Sequence, residues 1–290
     1  MAITVPLGVP LFALAFLLFG GFEAIPRLAL PGWSWMALAG VVHFVIGRYG
    51  NYRATRAIGA ALSAPIQQLS VPVSLILAIG LLDEVLTPLK LAGLVLVMAG
   101  PAIALRRGKV SDIAGPGSAF VPNHSEGVIW GLVSALGYGT SPLLIMMGLG
   151  PDGGLIDSLA GGLISYSSAA IVVAVLIVFA GGTSYMRELD PTAGKWFLAS
   201  GILVFLSQMF RYMALAVAPV SVVVPLQRLS VVFRVIFSWF LNRDHEALGF
   251  PVLAGIALSV VGALALTVSA EFVASLVGAD WAASLTVEWP

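Results

Sequence analysis

The chain has 290 residues, 59% of them hydrophobic and 10% charged, where a soluble domain carries roughly 25% charged residues. A mean hydropathy of +1.03, spread over the whole length, describes a membrane protein and excludes a soluble globular enzyme. Basic and acidic residues cancel at 14 each, so no basic field exists to hold nucleic acid, and the absence of Cys excludes disulfides, thiolate metal sites and cysteine nucleophiles.

Apolar runs of about 20 residues, closed by charge or by Gly, Pro, Asn and Asp, predict nine spans. In chain order they are 5–22, 34–55, 61–81, 88–105, 126–148, 154–180, 195–217, 220–241 and 248–269. No Lys or Arg precedes the first run and no cleavage site follows it, so no signal peptide is expected. Barrel strands would alternate polar and apolar residues, and runs such as Ile171 to Phe179 do not. The expected fold is therefore all-α and polytopic. Residues 106–124 are a linker by composition, and 271–290 form an acidic tail.

Self-comparison reveals an internal repeat. At an offset of 160, Pro65-x-Gln67-x-Leu69-Ser70-Val71 lies on Pro225-x-Gln227-x-Leu229-Ser230-Val231, and the same offset pairs Tyr52 with Tyr212. At an offset of 162, Glu84 pairs with Glu246, Leu91-Ala92-Gly93 with Leu253-Ala254-Gly255, and Gly100 with Gly262. The first unit, residues 1–105, holds four spans, and the second, 125–270, holds five. The first unit thus lacks an opening helix. Units of five helices enter the membrane with opposite polarity, the inverted-repeat design of secondary transporters.

Two such units, with Glu84-Val-Leu-Thr-Pro88 followed by Leu91-Ala-Gly93 and Gly100, and Glu246-Ala-Leu-Gly followed by Leu253-Ala-Gly255 and Gly262, resemble the drug/metabolite transporter superfamily, in particular its EamA-type permeases. The resemblance implies a ten-helix transporter of metabolites or drugs. Here the face left by the missing helix would need a lipid or a partner protomer, so a homodimer is one expected assembly. The expected location is a bacterial inner membrane. Eight Lys and Arg residues, Arg53, Arg106 and Lys109 among them, fall on one side against Arg27 and Lys90 on the other. That count places the N-terminus in the cytoplasm, whereas the resemblance implies the opposite orientation.

A charge in hydrocarbon costs roughly 2.5–3.5 kcal/mol on insertion scales, so deep polar residues are the candidates for chemistry. Arg228 and Arg211 are expected to face a central cavity and hold an anionic group, a bidentate guanidinium fork suiting carboxylate or phosphate. Snorkelling to an interface is the alternative for each, as it is for Arg48. Gln227 and Gln67, repeat mates, are expected to bind substrate near the midplane or to lock two helices through a hydrogen bond. Ser230 sits beside Arg228. Tyr52 and Tyr212 would line the cavity ends or anchor at the interface, and His43 would relay protons or simply pack. Pro65 and Pro225 free a carbonyl one turn earlier and are candidate hinges. Asp157, near a helix start, reads as a cap.

No His-Glu-x-x-His, Gly-x-Ser-x-Gly or nucleotide-binding loop occurs, so no enzyme, cofactor or metal is expected. The function that follows is secondary transport, by alternating access, of a small polar or anionic metabolite. A multidrug or lipid-linked-sugar carrier, and a non-transporting assembly partner, are the rival readings.

Overall fold

The computed structural model describes residues 1–19, 21–24, 30–84, 87–105, 123–182, 184, 191–227, 229–230, 233 and 250–267. The described residues are almost all helical, with no strand among them. The helices are α1 (Thr4–Leu18), α2 (Leu30–Gly40), α3 (Arg48–Gln68), α4 (Ser70–Leu82), α5 (Pro88–Leu105), α6 (His124–Leu149), α7 (Leu155–Phe179), α8 (Pro191–Leu215), α9 (Val220–Gln227) and α10 (Phe250–Thr267). Helix is what these runs dictate, since a backbone in hydrocarbon must satisfy its own polar groups. By length and composition, four of the described helices can cross a membrane: Leu30–Ile58, His124–Leu149, Leu155–Phe179 and Gly194–Leu215. Residues 106–122 of the linker, the acidic tail and half of the expected eighth span lie outside the described residues.

Helices α2 and α3 are joined by a π-helical segment, Val41–Gly47, in which each turn takes an extra residue. Within α3 the chain doubles back. Gln67 Nε2 donates to Asn51 Oδ1 at 2.8 Å, although residues sixteen apart on a straight helix would be separated by about 24 Å. The hydroxyls of Thr55 and Ser63 meet at 3.3 Å, which puts the reversal between them and separates the second span from the third.

Local chemistry sets the helix ends. Asn123 caps α6, its Oδ1 accepting from Glu126 N, and Gly150 closes the same helix at φ 69°. Asp157 Oδ2 accepts from Gly154 N, so it caps α7. Asp83 ends α4 in the left-handed conformation, φ 52°, and turns Glu84 toward the start of α9.

Helix α7 packs on α1 and α2, α6 on α2, α3 and α4, and α5 along α10, where a side chain at Gly262 would strike the Gly93 carbonyl. Two large apolar cores result, with smaller clusters around Phe16 and Val97. One joins Met36, Val71, Ile145, Leu149, Val220 and Val224, and the other joins Phe12, Phe44, Tyr166 and Phe205. At Gly40 the approach of α2 to α7 leaves no room for a Cβ, which would sit on the Ser165 carbonyl, while Ser165 Oγ donates to Met36 O. The outward faces of α7 and α8 are apolar, with Val178 and Trp196 largely exposed, as lipid contact requires.

Candidate functional site

A cavity of about 690 Å³ opens among α1, the π segment, α3, α6, α8 and α9. That volume falls in the ordinary range for small-molecule sites. Two of its walls carry a guanidinium. Arg211, on α8, is buried; its Nη2 donates to Ser141 Oγ at 2.8 Å and its Nη1 to Gln208 Oε1 at 3.2 Å. Arg48, at the start of α3, is also buried, with Nη1 3.3 Å from Thr4 Oγ1 and its guanidinium carbon 5.2 Å from the centre of the Phe44 ring. All of these partners are neutral. No Asp or Glu lines the cavity among the described residues.

The π segment explains why Arg48 and His43 face the same space. On a regular α-helix residues five apart point about 140° away from one another, whereas a π turn, with i bonded to i+5, returns to the same face after about five residues. His43 is buried in the cavity wall, 4.7 Å from the Tyr138 ring and 4.8 Å from Phe44 between ring centres.

The expected site residues fall in different places. Arg211, Gln227, Ser230, Tyr52 and His43 all line the cavity, Tyr52 with much of its surface open. Gln67 stands one layer back, holding Asn51, which does line it. Tyr212, expected at a cavity end, is fully buried in the apolar core instead, its ring 6.2 Å from that of Phe12, because it follows Arg211 by one residue and so points about 100° away from it. Arg228 lies outside the described residues, and so does the side chain of Pro65. Pro225 is buried inside α9. Sequence reasoning missed Asn51, Thr4, Tyr138 and Gln208 as wall residues. The available signal was a polar side chain at depth in an apolar run.

Glu84 supplies a contact that sequence reasoning had assigned only to a turn. Its two carboxylate oxygens accept from Val220 N at 2.6 Å and Ser221 N at 2.9 Å, tying the α4–α5 turn to the start of α9. Two residues on, Val222 lines the cavity, so this carboxylate fixes one of its walls.

With a charge-bearing cavity inside an apolar helical body, the chain can be compared with known proteins. No protein of curated function matches it. A crystal structure of a protein aligns with a TM-score of 0.68 at 16% identity, over 96% of this chain and 88% of that one, a likeness of fold. Residues 4–106 match the model of the EamA-like transporter family, whose members are transporters rather than enzymes. The chain is an integral membrane protein, and its residues 4–106 are similar to the EamA-like transporter family, within the drug/metabolite transporter superfamily.

Proposed function

We propose that the protein is a secondary-active transporter that moves a small polar or anionic metabolite by alternating access across a bacterial inner membrane. Its two units, 1–105 and 125–270, would act as inverted repeats with nine spans, rocking about the shared cavity. One observation carries this reading: Arg48 and Arg211 are both buried in one cavity, and among the described residues the hydrogen-bond partners they have there are neutral. A buried cation without a counter-ion is costly, and an anionic substrate supplies the missing charge while meeting the planar donor fork of each guanidinium. Each guanidinium offers five N–H donors, more than these bonds use. A carrier of hydrophobic cations would require acids in this wall.

The test is thermal unfolding of the detergent-purified protein against metabolites sorted by charge. A ligand at 100 times its Kd adds about 2.7 kcal/mol to the native state. Stabilisation by carboxylates or phosphates that disappears in Arg211→Gln supports the proposal. Stabilisation by hydrophobic cations alone refutes it.

A further inference from the structure

The sequence repeat that pairs Gln67 with Gln227 also pairs Asn51 with Arg211, at the same offset of 160. In the first unit these two positions bond to each other, Gln67 Nε2 donating to Asn51 Oδ1 at 2.8 Å. In the second unit that bond cannot exist, because a guanidinium has donors and no acceptor. Arg211 turns to Ser141 and Gln208, and Gln227 Nε2 is left buried with no acceptor among the described residues. Both side chains line the cavity. A buried amide N–H without an acceptor and a buried cation with only neutral partners among the described residues, lining one cavity, make an incomplete site.

We infer that a substrate carboxylate binds Arg211 and Gln227, taking the acceptor role that the Asn51 carbonyl plays toward Gln67 in the first unit. Its two oxygens have enough lone pairs to serve both donors. The first unit then sets which way round the substrate lies. Asn51 Oδ1 already accepts from Gln67 and, at 3.3 Å, from Thr55 Oγ1, so Asn51 offers the cavity its Nδ2 donor. A donor reads an oxygen acceptor and disfavours an ammonium. The substrate class is therefore a carboxylate with a hydroxyl or carbonyl oxygen at its far end, and the Asn51 to Arg211 exchange between repeats is what makes an internally repeated cavity directional. This inference rests on the anion reading above and adds an assignment of residues and of substrate class.

The experiment is isothermal titration of the full-length protein in detergent with a series of ω-hydroxy carboxylates and the matching unsubstituted carboxylates. Arg211→Asn rebuilds the Asn–Gln pair of the first unit. It is expected to bind every carboxylate about tenfold or more weakly, since a charge-assisted contact is lost, while unfolding at or above the wild-type temperature. Gln227→Leu should weaken both series alike. Asn51→Leu should erase the preference for the hydroxy acids and leave binding of the plain carboxylates in place. Wild-type affinity in Arg211→Asn, or an unchanged hydroxyl preference in Asn51→Leu, overturns the inference while leaving an anion carrier intact. Failure of the wild-type protein to bind any carboxylate in either series overturns the substrate class directly. If the protein binds cations instead, the anion reading falls with it.

Discussion

Replacing Glu84 with Ala removes the acceptor for two backbone N–H groups at the start of α9, Val220 at 2.6 Å and Ser221 at 2.9 Å. Hydrogen bonds to a charged group contribute about 1.5–3 kcal/mol net each, and a carboxylate at a helix N-terminus adds about 0.3–1 kcal/mol from the macrodipole. Glu84 is half-buried, so water recovers part of that loss in the variant, and a total near the low end, about 2–3 kcal/mol, is expected. For a chain of this size that lowers the melting temperature by about 4–10 °C. Glu84→Gln keeps one acceptor oxygen and should lose about half as much. The assay is thermal unfolding in detergent, paired with hydrogen exchange of the Val220 and Ser221 amides, which should quicken in Glu84→Ala while α6 and α7 keep their protection. A Glu84→Ala protein that melts within about 1 °C of wild type, with those amides still protected, would show that the carboxylate does not hold α9, and the reasoning would be wrong.

Gly40→Ala puts a Cβ onto the Ser165 carbonyl and should cost about 1–3 kcal/mol in thermal unfolding, whereas Gly80→Ala, which meets open space, should be neutral or stabilising. Asn123→Ala removes the α6 cap and should lower stability by about 1 kcal/mol, with Asn123→Ser close to wild type in the same melt. Ser141→Ala takes away an Arg211 partner while leaving the charge in place. The freed guanidinium should still bind anions, with affinity within a few-fold of wild type by titration; abolished binding would mean that Ser141 itself contacts substrate.

Much of the helical body was legible in the sequence, because a membrane allows so few backbone solutions. The apolar run from Ile171 to Phe179 could only be a helix, and the turn signals at Asp83 and Gly150 mark where helices end. Polar residues at depth announced the cavity: His43, Arg211 and Gln227 all line it. Other features depended on geometry that spacing does not encode. A π segment shares its sequence character with an α-helix, so the common facing of His43 and Arg48 was invisible until the extra residue per turn was seen. Tyr212 could not be separated from Arg211 by residue type, since a tyrosine suits a cavity end as well as a core, and only its direction from α8 decides. Glu84 read as a turn residue because its partners, the Val220 and Ser221 amides, lie 136 and 137 positions away and leave no local trace. The bond from Gln67 to Asn51 was hidden for a similar reason, because it exists only once the chain reverses within α3.

The most direct measurement is uptake, into vesicles reconstituted with the purified protein, of whichever anion most raises its melting temperature. Wild-type vesicles should fill with that anion well above the rate of protein-free vesicles, and Arg211→Gln vesicles should fall to about a tenth of the wild-type rate or below, the loss of one charge-assisted contact. Equal uptake by wild type and Arg211→Gln, or none above protein-free vesicles, would contradict an anion path through this cavity.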